Sequence, residues 1–72
     1  MRVNEVLTRC STDQYVCIVY SSSNGTYHIY GSVYDIIFTD EYRYNRIGDM
    51  FVTKIGAHHE TRSDLYLKAI KA

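Results

Sequence analysis

Apolar positions recur along this chain with two different periods, and each change of period marks an element. Val3, Val6, Leu7 and Cys10 fall at i, i+3, i+4 and i+7, one face of a short helix, with Arg2, Asn4, Glu5 and Arg9 on the other. So short a helix is marginal alone and has to dock on something. Ser11-Thr12-Asp13 reads as the break. Over residues 15–21 the period becomes two: Val16, Ile18 and Tyr20 share one side, Tyr15, Cys17 and Val19 the other. Neither side is polar, which predicts a strand covered on both faces. Asn24-Gly25 is a strong hairpin signal, because both residues accept the positive φ of a tight turn. The returning strand begins at Thr26, with Tyr27, Ile29, Gly31 and Val33 on one side and His28, Tyr30, Ser32, Tyr34 and Ile36 on the other. Gly31 inside it predicts a bend.

Thr39 is positioned to cap a second helix, with Asp40 and Glu41 at the end where the helix dipole favours carboxylates. That helix is predicted to run through Tyr42, Arg43, Tyr44, Asn45 and Arg46 to Ile47, with Gly48 as its C′ residue. Residues 50–57 alternate again, Phe51, Thr53 and Ile55 opposite Met50, Val52 and Lys54. After a polar connector at 58–63, residues 64–71 place Leu65, Leu67 and Ala69 against Tyr66, Lys68 and Ile70. Leu, Lys and Ala also favour a helix there. A strand is preferred, since the connector has hairpin length and the preceding strand needs a partner. The expected order is α-β-β-α-β-β. It describes a single small α+β domain over 1–72: a four-stranded, mainly antiparallel sheet curled toward a half-barrel, with two short helices on one face.

Composition narrows the roles open to such a domain. At 72 residues there is room for one core, and 46% apolar content argues against disorder. No apolar run approaches the ~18 residues of a membrane span, and no signal peptide is read at the start. No membrane association is expected, and the expected compartment is the cytosol. Eight basic residues balance eight acidic ones. This disfavours a general nucleic-acid binder, which carries a basic excess, while leaving local patches open. Eight Tyr with no Trp and no Pro is an unusual mixture. Tyr is a good strand residue, but a domain this small cannot hide eight phenol rings, and exposed Tyr suits an interface.

Candidate chemistry is sparse. Cys10 and Cys17 read as small buried hydrophobes in place of a disulfide, and no CxxC or HxxxH spacing supports a metal site. His58-His59-Glu60 reads as a solvated turn, because adjacent strand residues point in opposite directions and cannot serve one centre. The carboxylates form no paired arrangement, so neither enzyme activity nor a cofactor is expected. The loop 21–26 offers hydroxyl and backbone N–H groups, with Ser22 and Asn24 as candidate contacts to a phosphate or ribose; the alternative is a plain hairpin tip. Arg43, Arg46 and Arg62 are candidates to lie near Tyr30, Tyr34, Tyr42 and Tyr44. Rings beside guanidinium groups stack a base and pair a phosphate, or anchor a protein. Ordinary surface charge beside packed Tyr is the alternative.

The opening Val3-x-Glu5-Val6-Leu7 and the run containing Ile29, Tyr30, Gly31, Val33, Asp35 and Ile36 resemble a set of short proteins from phages and mobile elements of Firmicutes. Val52, Ile55, Leu65 and Leu67 fit the closing strands of that set. Those proteins often carry Pro after the Asp-Ile pair; here Ile37 follows, which leaves the start of the second helix open. The resemblance implies a viral or mobile-element origin and supplies no catalytic residues. The function expected first is therefore stoichiometric binding by a counter-defence protein. It would inhibit a bacterial immune effector, such as a CRISPR nuclease complex, or sequester a nucleotide immune signal. A homo-oligomer, dimer or larger, would cover part of the Tyr-rich surface. The alternatives are a single-stranded nucleic-acid-binding accessory domain, and a structural or regulatory protein-interaction module.

Overall fold

The computed structural model describes residues 1–57 and 65–71. In chain order they form α1 (Val3–Leu7), β1 (Tyr15–Ser22), β2 (Gly25–Ser32), α2 (Val33–Ile37), α3 (Asp40–Tyr44), a 3-10 turn (Ile47–Asp49), β3 (Phe51–Ala57) and β4 (Leu65–Ile70). The His58-His59-Glu60 turn and Arg62 lie outside the described residues.

The strands make one four-stranded sheet in the order β2-β1-β4-β3. β1–β2 and β3–β4 are antiparallel hairpins, as the spacing predicts. The two hairpins join through a parallel pairing of β1 with β4, so the sheet is mixed, and it does not close into a barrel. Residues 65–70 are strand, and Leu67 and Ala69 are fully buried in the sheet's centre. Helical propensity there yields to two flanking ladders.

α1, α2 and the 3-10 turn bury side chains in a single apolar layer on one face, against which the half-buried Tyr42 of α3 packs. Val3, Val6 and Leu7 of α1, Val33 and Ile36 of α2, and Ile47 pack with Val16, Ile18, Tyr20, Ile29, Leu67 and Ala69 of the sheet. Each of the Val, Leu and Ile side chains taken out of water contributes about 1.5–3 kcal/mol. Cys17 and Val19 are also buried, but on the opposite side of β1, where flanking side chains and no helix cover them. Cys10 and Cys17 form no disulfide with each other.

Three boundaries depart from the periodicity. β2 stops at Ser32, and Val33 to Ile36, predicted as strand, fall in helix α2. The Ser32 Oγ accepts the Asp35 N–H at 3.2 Å, an N-cap that competes with the ladder. Val33 and Ile36, three apart, then reach the core together. Thr39 does cap α3, its Oγ1 accepting the Tyr42 N–H at 3.2 Å, but that helix ends at Tyr44 and not at Ile47. Asn45 closes it, Arg46 takes a left-handed φ of 52°, and Ile47 drops into the core. Gly48 is consequently no C′ residue. It is where the Tyr42 ring approaches: a Cβ there would stand 2.7 Å from the Tyr42 hydroxyl. In β3 a bulge between Val52 and Lys54 shifts the register, so Lys54 pairs with Lys68 and Ile55 with Leu67. Lys54 therefore shares a face with Phe51, against the simple alternation.

Tyr20 ties the helical layer to the sheet. Its ring lies 5.7 Å from that of Tyr27, and its hydroxyl donates to the exposed Glu41 carboxylate of α3. Burial, then the bond to Glu41 and its charge, push the Tyr20 phenol well above the usual tyrosine range. The folded chain thus holds this proton more tightly than the unfolded one. Stability is present in full below about pH 10, where unfolded Tyr titrates, and falls as pH rises above it. Denaturant titrations at rising pH should show this alkaline loss, and Tyr20→Phe should make it shallower. Ile18→Ala, at a fully buried position, should cost about 2–5 kcal/mol by the same titration at neutral pH.

Candidate functional site

The turn after α3 gathers the polar groups that the sequence singles out. Asn45 caps the helix, its Nδ2 donating to the Glu41 carbonyl at 2.9 Å. The chain then has to reverse sharply to bury Ile47, and Arg46 supplies the reversal. It is the one non-glycine residue with positive φ among the described residues. A left-handed conformation costs an L-residue about 1–2 kcal/mol, which the fully buried Ile47 next to it sustains. Strain of this kind concentrates at binding sites. The Arg46 Nε lies 3.3 Å from the Asp49 carboxylate, and both side chains remain largely open to solvent.

A half-open hollow of about 290 Å³ lies against this turn. Tyr44, Asn45, Arg46 and Asp49 line one side of it. Ser22, at the end of β1, and Lys71, just after β4, line the other, with the buried Met50 between them. Three residues named from the sequence, Ser22, Tyr44 and Arg46, thus converge. They arrive from the hairpin, α3 and the turn. Tyr44 is 86% exposed, a ring presented edge and face to solvent. Arg46 and Lys71 supply two cations against the single carboxylate of Asp49. A shallower hollow behind the same turn is lined by Tyr42, Arg43 and Arg46 with Asn4, Ile37 and Asp49.

The other candidates fall elsewhere. Tyr42 is half-buried against the core, and burial followed by the Asp49 charge raises its phenol pKa. It is a packing residue more than a platform. Tyr34 is on α2, its ring 5.0 Å from that of Phe38, both exposed. Tyr30 stands on the helix-free side of the sheet. Asn24 sits at the exposed hairpin tip, where its N–H donates to the Ser22 Oγ at 3.2 Å, and it does not line the hollow. The expected single cluster of Arg and Tyr is therefore split over several surfaces. Lys71, Asn45 and Asp49 escape sequence reasoning, because no motif marks them and only the reversal at Arg46 assembles them.

Among the described residues no three His, Cys, Asp or Glu side chains converge as a metal site, and no helix is long and apolar enough to cross a membrane. The Cys10 thiol donates to the Val6 carbonyl at 3.4 Å. In comparisons with known proteins, no family model, no curated protein and no solved structure matches this chain.

Proposed function

We propose that this chain is a non-enzymatic counter-defence protein of a phage or mobile element, acting in the host cytosol by stoichiometric binding. The ligand it takes is a nucleotide immune signal, held in the hollow beside Arg46. The observation that carries this reading is the convergence of Ser22, Tyr44 and Arg46 with Lys71 and Asn45 on one concavity. The groups match the parts of a nucleotide: a ring for the base, two cations for phosphate, an amide and a hydroxyl for polar edges. The reading takes the sheet to be curled toward a half-barrel, which brings the strand ends carrying Ser22 and Lys71 toward Tyr44. It also takes the chain to be a homo-oligomer, since a shallow hollow holds a ligand better when a second subunit covers it.

A second reading, inhibition of an immune effector protein by direct capture, is favoured by the exposed Tyr34–Phe38 pair. Paired aromatic side chains are typical anchors of protein interfaces.

The test has two parts. Chain purified from its host is heated, and the released small molecules are identified by mass spectrometry; mononucleotides and cyclic dinucleotides are then titrated calorimetrically. Saturable nucleotide binding is expected, and Arg46→Gly should weaken it about tenfold, the loss of one charge-assisted contact. The same variant should keep or raise stability by up to about 1 kcal/mol, because glycine accepts the left-handed φ. Absence of any nucleotide, released or bound, would sink this reading in favour of protein capture. Light scattering at micromolar concentration should give at least a dimer; a strict monomer removes the oligomeric part.

A further inference from the structure

We propose that the helix-free face of the sheet is a stacking platform for single-stranded nucleic acid, separate from the hollow beside Arg46. The register lays out this face in rows across β2, β1, β4 and β3. One row runs Tyr30, Cys17, Tyr66 and Gly56; the next His28, Val19, Lys68 and Lys54; the third Thr26, Ser21, Ile70 and Phe51. Tyr15, paired with Ser32 one row further along, has its ring 5.8 Å from that of Tyr30, which is 52% exposed. At the far corner the Arg2 guanidinium lies over the Phe51 ring at 5.5 Å.

Lys54 and Lys68 thus lie between the row of Tyr30 and Tyr66 and the row of Phe51, with rows about 7 Å apart from the strand rise. Among the described residues, every charged side chain placed on the face is basic. β1 to β4 contain no Asp or Glu; Glu5, Asp13, Asp35, Asp40, Glu41 and Asp49 lie on helices and loops. Gly56 presents no side chain on the β3 side of the Tyr66 row: a Cβ built there meets nothing within 4 Å among the described residues. A flat base can therefore approach the row from β3.

Charge decides the occupant. A second copy of the same face would set Lys54 and Lys68 against themselves, and a protein partner would ask for a drier centre than a row of His and Lys. A polyanion with π-faces satisfies both features: the phosphates meet Arg2, Lys54 and Lys68, and the bases stack on Tyr30 and Tyr66. The reading is sequence-tolerant, because every base has a π-face.

Fluorescence anisotropy with labelled oligo(dT) and oligo(U), and a duplex as control, tests this. Binding of single strands over duplex is expected, falling steeply with salt. Comparison of oligo(dT) with oligo(U) tells DNA from RNA preference. Tyr30→Ala should weaken binding roughly fivefold to a hundredfold. Lys68→Glu should weaken it more than Arg9→Glu, the same charge change on the helical side, with circular dichroism confirming that each variant is folded. No binding of either oligonucleotide at low salt, or equal losses from Lys68→Glu and Arg9→Glu, would overturn the proposal. Neither outcome touches the nucleotide hollow, which is tested by Arg46→Gly.

Discussion

The parallel pairing of β1 with β4 is the constraint on which the rest of the molecule depends. It places the most apolar strand, in which residues 16–20 are all buried, between two neighbours and leaves the edges to β2 and β3. Once β1 is central, both of its faces have to be covered. The helices cover one of them. Side chains of the flanking strands cover the other, and these include Tyr and Lys with polar tips, so the second face is closed at its floor and open at its surface. The sheet therefore carries a dry side and a wet side; the wet side holds Tyr15, Tyr30, Tyr66 and Phe51, while Tyr34, Phe38 and Tyr44 stand exposed on and beside the helices.

The same division resolves the neutral charge. A net charge of zero argues against nucleic-acid partners only when charges are mixed over the surface. Here the described carboxylates follow the helices, where caps and first turns favour them, while the strands carry Lys and His alone. Glu41 even serves the core side by accepting from Tyr20. Local structural demands for capping have thus kept the described carboxylates off the strands, while Arg9, Arg43 and Arg46 remain beside them among the helices and turns, and a summed charge conceals that the strands carry no acid.

How much was legible follows the range of the interactions involved. Both hairpins, α1, the Thr39 cap and the strand at 65–70 follow from spacing, because each is set by neighbours in the chain. Helix α2 was missed because Val33 and Ile36 fit alternation with a strand as well as the spacing of a helical turn, and the Ser32 cap decided between them. The early end of α3 was missed because Arg46 carries no mark of a left-handed residue; burial of Ile47 imposes it. The β1–β4 pairing was not legible, since hairpin signals say nothing about how two hairpins meet. Of the candidate site, Ser22, Tyr44 and Arg46 were named, but their meeting with Lys71 depends on that same pairing.

The crossover also orders the assembly of the molecule in time. Val16 meets Leu65 about fifty residues later in the chain, so the middle of the sheet cannot zip until nearly all of the described chain is available. Until then the first hairpin exists with its most apolar edge bare, an arrangement that slows folding and invites other chains to pair with it. A nascent chain of this kind depends on how quickly β4 is delivered after β1, and the translation rate over the residues between them becomes part of its folding physics.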